Sequence, residues 1–272
     1  AAPEYLTIST SPLAGNKTGT ALQRPPVITV HDFDGNLTTG ITGASVSAHV
    51  TTGNGNVMLD GYEKALVQGG IAEFQLLKVI APPGENQRLT FRLDNFNNSA
   101  SATVTSTESA NLQFTFGDAH KLVVNREPCT GANCSIGRTG EILATQPIVE
   151  VQDLYGNRVT NFSGQVIVEV QGVGGYLRND FNRVDTGVAQ VASGLATFAT
   201  LRLEGTPGTD YTLRFSSGNL LPTTSAVIRV KNNVADSLVV TTQPVGGVTG
   251  ELLATQPIVE MRDRFGNVVL DH

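Results

Sequence analysis

Alternation with a period of two runs through this chain. Val166, Val168 and Val170 share one side of the segment 166–170, with Ile167 and Glu169 on the other. Val46, Ala48 and Val50 repeat the arrangement, with Ser47 and His49 opposite. Successive side chains of a strand point to opposite faces, so each run reads as a strand with one buried side. Similar runs occupy 5–8, 70–74, 89–93, 111–116, 121–124, 194–198, 211–215, 226–230 and 237–240. Turns rich in Gly, Asn and Pro separate them at short intervals. Composition agrees: 31 Thr and 30 Val accompany 29 Gly and 12 Pro, so strand and turn formers dominate and good helix formers are scarce. The pattern predicts an all-β protein.

The strands recur as a set. Residues 22–36 (LQRPPVITVHDFDGN), 143–157 (LATQPIVEVQDLYGN) and 253–267 (LATQPIVEMRDRFGN) align without gaps. Their anchor aspartates are Asp32, Asp153 and Asp263. A period on the order of 110 residues is too long for a solenoid unit and fits a β-sandwich. The expected organisation is a first immunoglobulin-like domain over 1–117, a second over 118–233 and an incomplete third repeat over 234–272, with about seven strands in each full sandwich. The second copy carries an insertion before its anchor aspartate, and Cys129 and Cys134, the only cysteines, lie in it.

The third copy holds two strands, too few to close a sandwich or bury an adequate core. It predicts either a longer array of which this chain is one window, or a neighbouring chain that covers the open strands by strand addition.

The string Pro-[Ile/Val]-[Val/Ile]-x-[Val/Met]-x-Asp-x-x-Gly-Asn, followed by a Gly-Leu-Ala-Thr-Phe type strand, resembles the tandem immunoglobulin-like repeats of large secreted and cell-surface proteins. Invasin/intimin-type bacterial repeats and filamin-type repeats share this layout. The resemblance covers nearly the whole chain. It implies stalks, spacers, adhesins or filament-forming proteins, and it transfers no catalytic residue. The cysteine-bearing insertion lies outside the shared pattern.

A net charge of −6 argues against nucleic acid as the main partner, because phosphate binding needs a clustered basic surface. No apolar run is long enough to span a membrane as a helix.

The Asp-x-x-Gly-Asn segments are the most tempting chemistry. Asp32, Asp34 and Asn36 offer oxygens suited to calcium. The competing reading is a turn, in which an Asp side chain bonds the backbone two residues on and Gly supplies positive φ. Position 34 becomes Tyr155 and Phe265 in the other copies, so no shell of six to eight oxygens recurs, and the turn is the preferred reading. The Cys129–Cys134 spacing is neither a zinc set nor a redox C-x-x-C, which leaves a local disulfide that shapes a loop and implies an oxidising compartment. Five sequons, at Asn16, Asn36, Asn97, Asn133 and Asn161, fall in expected turns or loops and are candidate glycan sites. No nucleophile elbow, zincin motif or phosphate loop occurs, and no cofactor is expected.

Two functions follow. The first is a structural extracellular module whose partners are adjacent repeats or identical subunits of a stalk, fibre or filament. The second is an adhesin gripping a glycan or protein through sandwich-end loops. For the second, the segments 53–69 and 172–186 supply the loops, with Tyr176, Arg178 and Phe181 as contact residues. An enzyme is not expected.

Overall fold

The computed structural model describes residues 2–51, 57–96, 104–129, 134–178 and 182–270. Among the described residues all regular structure is strand. The chain forms two compact units, one of residues 1–118 with 153–159, the other of 119–152 with 160–272.

In the first unit, Val27–His31 runs antiparallel between Tyr5–Thr10 and Ile71–Glu73. Ser45–Val50 runs antiparallel between Lys64–Leu66 and Leu89–Asp94. Smaller ladders join Leu112–Thr115 to Asn16–Lys17 and Asn86–Gln87, and Met58–Asp60 to Lys78–Ile80. Inward residues of these sheets, including Ile28, Val30, Val46, Ala48, Leu89 and Phe91, form one core. The rings of Phe74 and Phe91 meet there, tilted, at 5.1 Å. Two sheets sharing a core of alternating residues make an immunoglobulin-like sandwich.

The second unit contains a seven-stranded sheet in the order Ala119–Arg126, Ile148–Asp153, Leu195–Thr197, Thr186–Ala192, Gln165–Gln171, Thr212–Ser216, Thr223–Thr224. Tyr176–Arg178 lies between Arg183–Val184 and Arg202–Glu204, and Ser135–Arg138 runs parallel to Arg229–Lys231. Phe198 and Phe215 repeat the aromatic pair at 5.6 Å.

The Gly-[Ile/Leu]-Ala-x-Phe segment sits in the same register in both units. Ile28 stands opposite Ala72, and Val149 opposite Ala196. The leading glycines, Gly70 and Gly194, adopt φ +79° and +77°, a region open to glycine at little cost. Their carbonyls accept from the N–H groups of Val30 and Val151, both at 2.9 Å. The N–H groups of Phe74 and Phe198 donate to the carbonyls of Pro26 and Pro147 at 3.1 and 3.2 Å. Ala72 and Ala196 are fully buried.

In the third repeat, Ala235–Thr242 pairs with Ile258–Asp263 as an antiparallel pair. Its core positions are uncovered. Leu6, Leu22 and Ile28, like Leu122, Leu143 and Val149, are at most 3% exposed, whereas the aligned Leu238, Leu253 and Val259 are 70%, 40% and 50% exposed.

Segments 53–69 and 172–186, expected as loops, contain strands: Met58–Asp60 and Lys64–Leu66 in the first, Tyr176–Arg178 and Arg183–Val184 in the second. Glycines flank these short runs and mask their alternation, in which Ala65 and Leu177 point inward.

Candidate functional site

The Asp-x-x-Gly-Asn segment folds alike in all three copies. Asp32 Oδ1 accepts the N–H groups of Asp34 (3.1 Å) and Asn36 (2.9 Å). Asp153 Oδ1 accepts those of Tyr155 and Asn157, both at 2.9 Å. Asp263 Oδ1 accepts those of Phe265 (2.9 Å) and Asn267 (3.0 Å). Each aspartate also donates its own N–H to the Asn carbonyl, at 3.0, 2.9 and 2.9 Å. Gly35, Gly156 and Gly266 hold φ between +84° and +90°. The carboxylates are therefore occupied as turn locks, through oxygens a cation would need. The hydrogen bond from the Asn36 N–H, aided by those from the Asn36 side chain and the Asp34 N–H, holds the Asp32 carboxyl below its ordinary range, although burial opposes it. Among the described residues no group of three or more His, Cys, Asp or Glu is arranged to hold a metal ion.

The second oxygen does something else. Asp153 Oδ2 accepts the Gly117 N–H at 2.7 Å, and Asp263 Oδ2 accepts the Asn233 N–H at 3.1 Å. Gly117 and Asn233 belong to the short segments that precede the second and third repeats. One carboxylate thus ties its turn to the incoming chain.

Two residues after the aspartate, an aromatic ring completes the arrangement. Within the first unit the Tyr155 ring lies over Gly19, so close that a β-carbon on Gly19 would stand 2.1 Å from it. Within the second unit Phe265 lies over Gly140, where a β-carbon would stand 2.2 Å from the ring. Both glycines have positive φ, +70° and +76°. Each is the corner of a Thr-Gly pair fastened from beneath. The Gly19 N–H donates to the Val79 carbonyl (2.9 Å) and the Gly140 N–H to the Leu203 carbonyl (2.8 Å). Thr18 Oγ1 accepts the Ala81 N–H at 2.9 Å, and Thr139 Oγ1 exchanges hydrogen bonds with the backbone of Gly205 at 2.9 and 3.0 Å. The Asn233 side chain adds a bond from Nδ2 to the Thr139 carbonyl at 2.8 Å. The first copy departs from this pattern: Asp34 stands in the aromatic place, and its neighbour Phe33 is solvent-exposed.

A charged cluster flanks the Phe265 contact. The Arg178 guanidinium sits 5.1 Å from the Phe265 ring centroid, and that of Arg264 sits 4.8 Å away on the same residue's ring. Arg178 and Arg183 both bond the buried carboxylate of Glu204. The Arg183 guanidinium also lies 4.3 Å over the Tyr176 ring. Burial pushes the Glu204 carboxyl up, but the hydrogen bonds from Arg183 and Arg178 outweigh it and hold the group below the usual carboxylate range.

The remaining sequence candidates fall as follows. Tyr176 and Arg178 lie on a strand rather than a loop, and both are engaged inside the unit by Arg183, Glu204 and Phe265. Phe181 lies outside the described residues, as do Asn97 and Asn133. Asn16 is a correction: it is fully buried, its Nδ2 donates to the Leu13 carbonyl at 2.6 Å and its Oδ1 accepts the Gln23 N–H at 2.9 Å. That side chain is structural, and a glycan on it has no path to solvent in this fold. Asn36 and Asn161 are exposed. Cys129 and Cys134 are joined, with Cα atoms 5.9 Å apart. The Cys134 carbonyl accepts the Arg229 N–H at 3.0 Å, so the bridge ends where Ser135–Arg138 begins.

Hydroxyl–imidazole contacts occur at two places among the described residues, one of them between Thr29 Oγ1 and His31 Nε2 at 2.9 Å. Ser47 Oγ lies 3.0 Å from His49 Nε2, beside an open cleft of about 500 Å³ lined by Met58, Lys64 and Arg92 among others. Ser47 itself is buried. Asp94 Oδ1 accepts from Arg92 Nε at 2.9 Å rather than from the histidine, so the order of a serine triad is not reproduced.

The Thr-Gly corners were not singled out from the sequence, yet a signal exists. Thr18-Gly19, Thr139-Gly140 and Thr249-Gly250 precede the three anchor aspartates at one constant spacing.

No protein-family model matches the chain, and no curated protein matches it. Similar solved structures include invasin, described as a bacterial integrin-binding protein, at 14% identity and a TM-score of 0.33 over 98% of this chain and 48% of that one. The S-layer protein rSbsC is 14% identical with a TM-score of 0.30, over 98% of this chain and 31% of that one. A beta-glycosidase from Bacteroides vulgatus is 13% identical with a TM-score of 0.30, over 85% of this chain and 25% of that one. The chain thus spans between a quarter and a half of these proteins.

Proposed function

We propose that this chain is a structural module of an extracellular or cell-surface array, in which immunoglobulin-like sandwiches follow one another as a stalk, fibre or filament. The observation that carries this reading is the twofold recurrence of one device. A turn that belongs by sequence to one repeat places an aromatic ring on the Thr-Gly corner of the repeat before it, and its aspartate holds the intervening chain. Such a device anchors the chain segment that enters a repeat, which suits a spacer built of successive repeats. The disulfide supports an oxidising, extracellular setting. Its partners are then adjacent repeats or identical subunits, and its role is mechanical rather than catalytic.

Immunogold labelling of intact source cells with antibody against this chain tests the reading, together with the denatured mass of the native polypeptide. Label on the cell surface or on an appendage is the expected result. Label confined to the cell interior overturns it.

A further inference from the structure

The two full repeats share a cleft that lies away from their turns. In the first unit Ser47 stands between Arg92 and Lys64 across three strands, and in the second Glu169 stands between Arg214 and Thr186. Lys64–Leu66 and Thr186–Ala192 therefore begin opposite equivalent residues. Past that point, among the described residues, Ser45–Val50 and Gln165–Gln171 run on with no strand on that side. A strand of a separate ladder, Met58–Asp60 or Tyr176–Arg178, lies across the gap. These two strands are equivalent as well. Leu59 pairs with Val79 and Leu177 with Leu203, the residues whose carbonyls hold the two Thr-Gly corners. Each gap is an open cleft, of about 500 Å³ in the first unit and about 280 Å³ in the second.

The linings correspond. Met58 and Tyr176 supply an apolar wall and are 63% and 39% exposed. His49 and Gln171 are exposed near the ends of their strands. Glu63 and Asp185 are exposed carboxylates directly before the strand that starts late.

We propose that this cleft is a recurrent binding subsite for a neutral saccharide, one in each full repeat. A sugar ring has an apolar C–H face and a rim of hydroxyls that donate and accept. The apolar wall meets the face. The carboxylate accepts hydroxyl protons, and the imidazole or amide gives one hydrogen bond and takes another. Two of these groups are already held in place: His49 Nε2 lies 3.0 Å from Ser47 Oγ, and the Arg183 guanidinium lies 4.3 Å over the Tyr176 ring. A ligand therefore has less side-chain freedom to arrest. An anionic ligand is disfavoured. Among the described residues no Lys or Arg lines the second cleft, and in the first Lys64 and Arg92 converge on Asp94, at 3.4 and 2.9 Å. The clefts differ in their floor. Glu169 fills its row by pairing with Arg214 at 3.3 Å, whereas the small Ser47 leaves the row open. The first cleft accordingly takes the longer stretch of saccharide. The proposal goes beyond the array reading and does not rest on it.

The test is a titration of the full chain, labelled with ¹⁵N, with cellotetraose, chitotetraose and mannotetraose, followed through backbone amide shifts. At least one of the three is expected to bind in the millimolar range or tighter and to shift amides around Met58 and Glu63 in one unit and around Tyr176 and Asp185 in the other. Glu63→Ala and Asp185→Ala, both exposed positions, are each expected to weaken binding about tenfold or more in their own cleft and to leave the other unchanged. The proposal is overturned by the absence of saturable shifts with all three sugars, by shifts in one cleft alone, or by unaltered binding in either variant. Equal or tighter binding of tetragalacturonate at the same amides also overturns it, because the ligand is then recognised by its charge. None of these failures touches the array reading, which stands or falls on cell-surface labelling.

Discussion

Gly140→Ala combined with Phe265→Ala separates two costs that the structure places on one corner. In Gly140→Ala alone, the new methyl meets a backbone at φ +76° and a ring 2.2 Å away. The left-handed conformation costs a non-glycine residue about 1–2 kcal/mol. A contact so short cannot be absorbed, so the ring must leave. Phe265 is half-buried, and a fully buried Phe is worth about 1.5–3 kcal/mol, so expulsion forfeits about 1–1.5 kcal/mol of burial. Loss of the Arg178 contact at 5.1 Å adds about 0.5 kcal/mol. Gly140→Ala is therefore expected to cost about 3 kcal/mol, the sum of strain and an evicted ring. Phe265→Ala costs about 1.5–2 kcal/mol, the ring alone. The double variant should cost little more than Gly140→Ala, because the ring is lost only once, which gives a coupling of about 1.5 kcal/mol. The assay is native-state hydrogen exchange at the Asn233 amide, whose bond to Asp263 Oδ2 reports on the turn. Additivity to within about 0.5 kcal/mol would refute the plug, since residues that do not interact behave so.

Other expectations follow from the same contacts. Asp263→Ala strands the N–H groups of Phe265, Asn267 and Asn233 and should cost about 2–3 kcal/mol, while Asp263→Asn keeps one acceptor and should cost about half as much by the same exchange measurement. Glu204→Gln breaks a buried carboxylate from two guanidiniums. Because Arg183 is largely solvated the loss should be about 1–3 kcal/mol by urea melts, below the range for a wholly buried pair. The folded-state carboxyls of Glu204, Asp94 and Asp32 lie below their ordinary values of 4.5, 3.8 and 3.8. Their contribution is therefore complete above those values and lost as pH falls through the lower folded ones, so melts should be flat near neutrality and drop in acid, with a shallower drop in Glu204→Gln. A melt that is steepest between neutrality and mild alkali would contradict this assignment. Replacing Cys129 and Cys134 by Ser opens a six-residue ring and should cost about 2 kcal/mol or less, leaving the second unit folded in a thermal scan.

Much of this was legible in the sequence because strands announce themselves locally. The valines at 166, 168 and 170 and the recurring Gly-[Ile/Leu]-Ala-x-Phe segment carry their burial in their spacing. The Asp turn was legible for the same reason, since an aspartate that bonds its own second neighbour needs nothing distant. What escaped depends on residues far apart. Nothing near Gly140 hints that a ring from Phe265 rests on it, and Tyr176 and Arg178 passed for loop residues because flanking glycines hide a three-residue strand. Asn16 looked like a surface sequon because the motif says nothing of burial, and its two side-chain hydrogen bonds appear only when Leu13 and Gln23 fold around it.

The glycine corners also bear on how such repeats diversify. Gly19 and Gly140 are identical, while the rings above them are Tyr155 and Phe265. The asymmetry has a steric origin. Over Gly19 the phenol oxygen and the ring edge of Tyr155 both stand about as close as the Phe265 ring edge does over Gly140, so any β-carbon beneath either ring meets it at bonding range, and the left-handed backbone penalises the same carbon again. Every single-base change that alters a glycine codon's meaning adds such a carbon or ends the chain. Drift is therefore free to exchange one ring for another and is blocked at the residue that has no side chain at all.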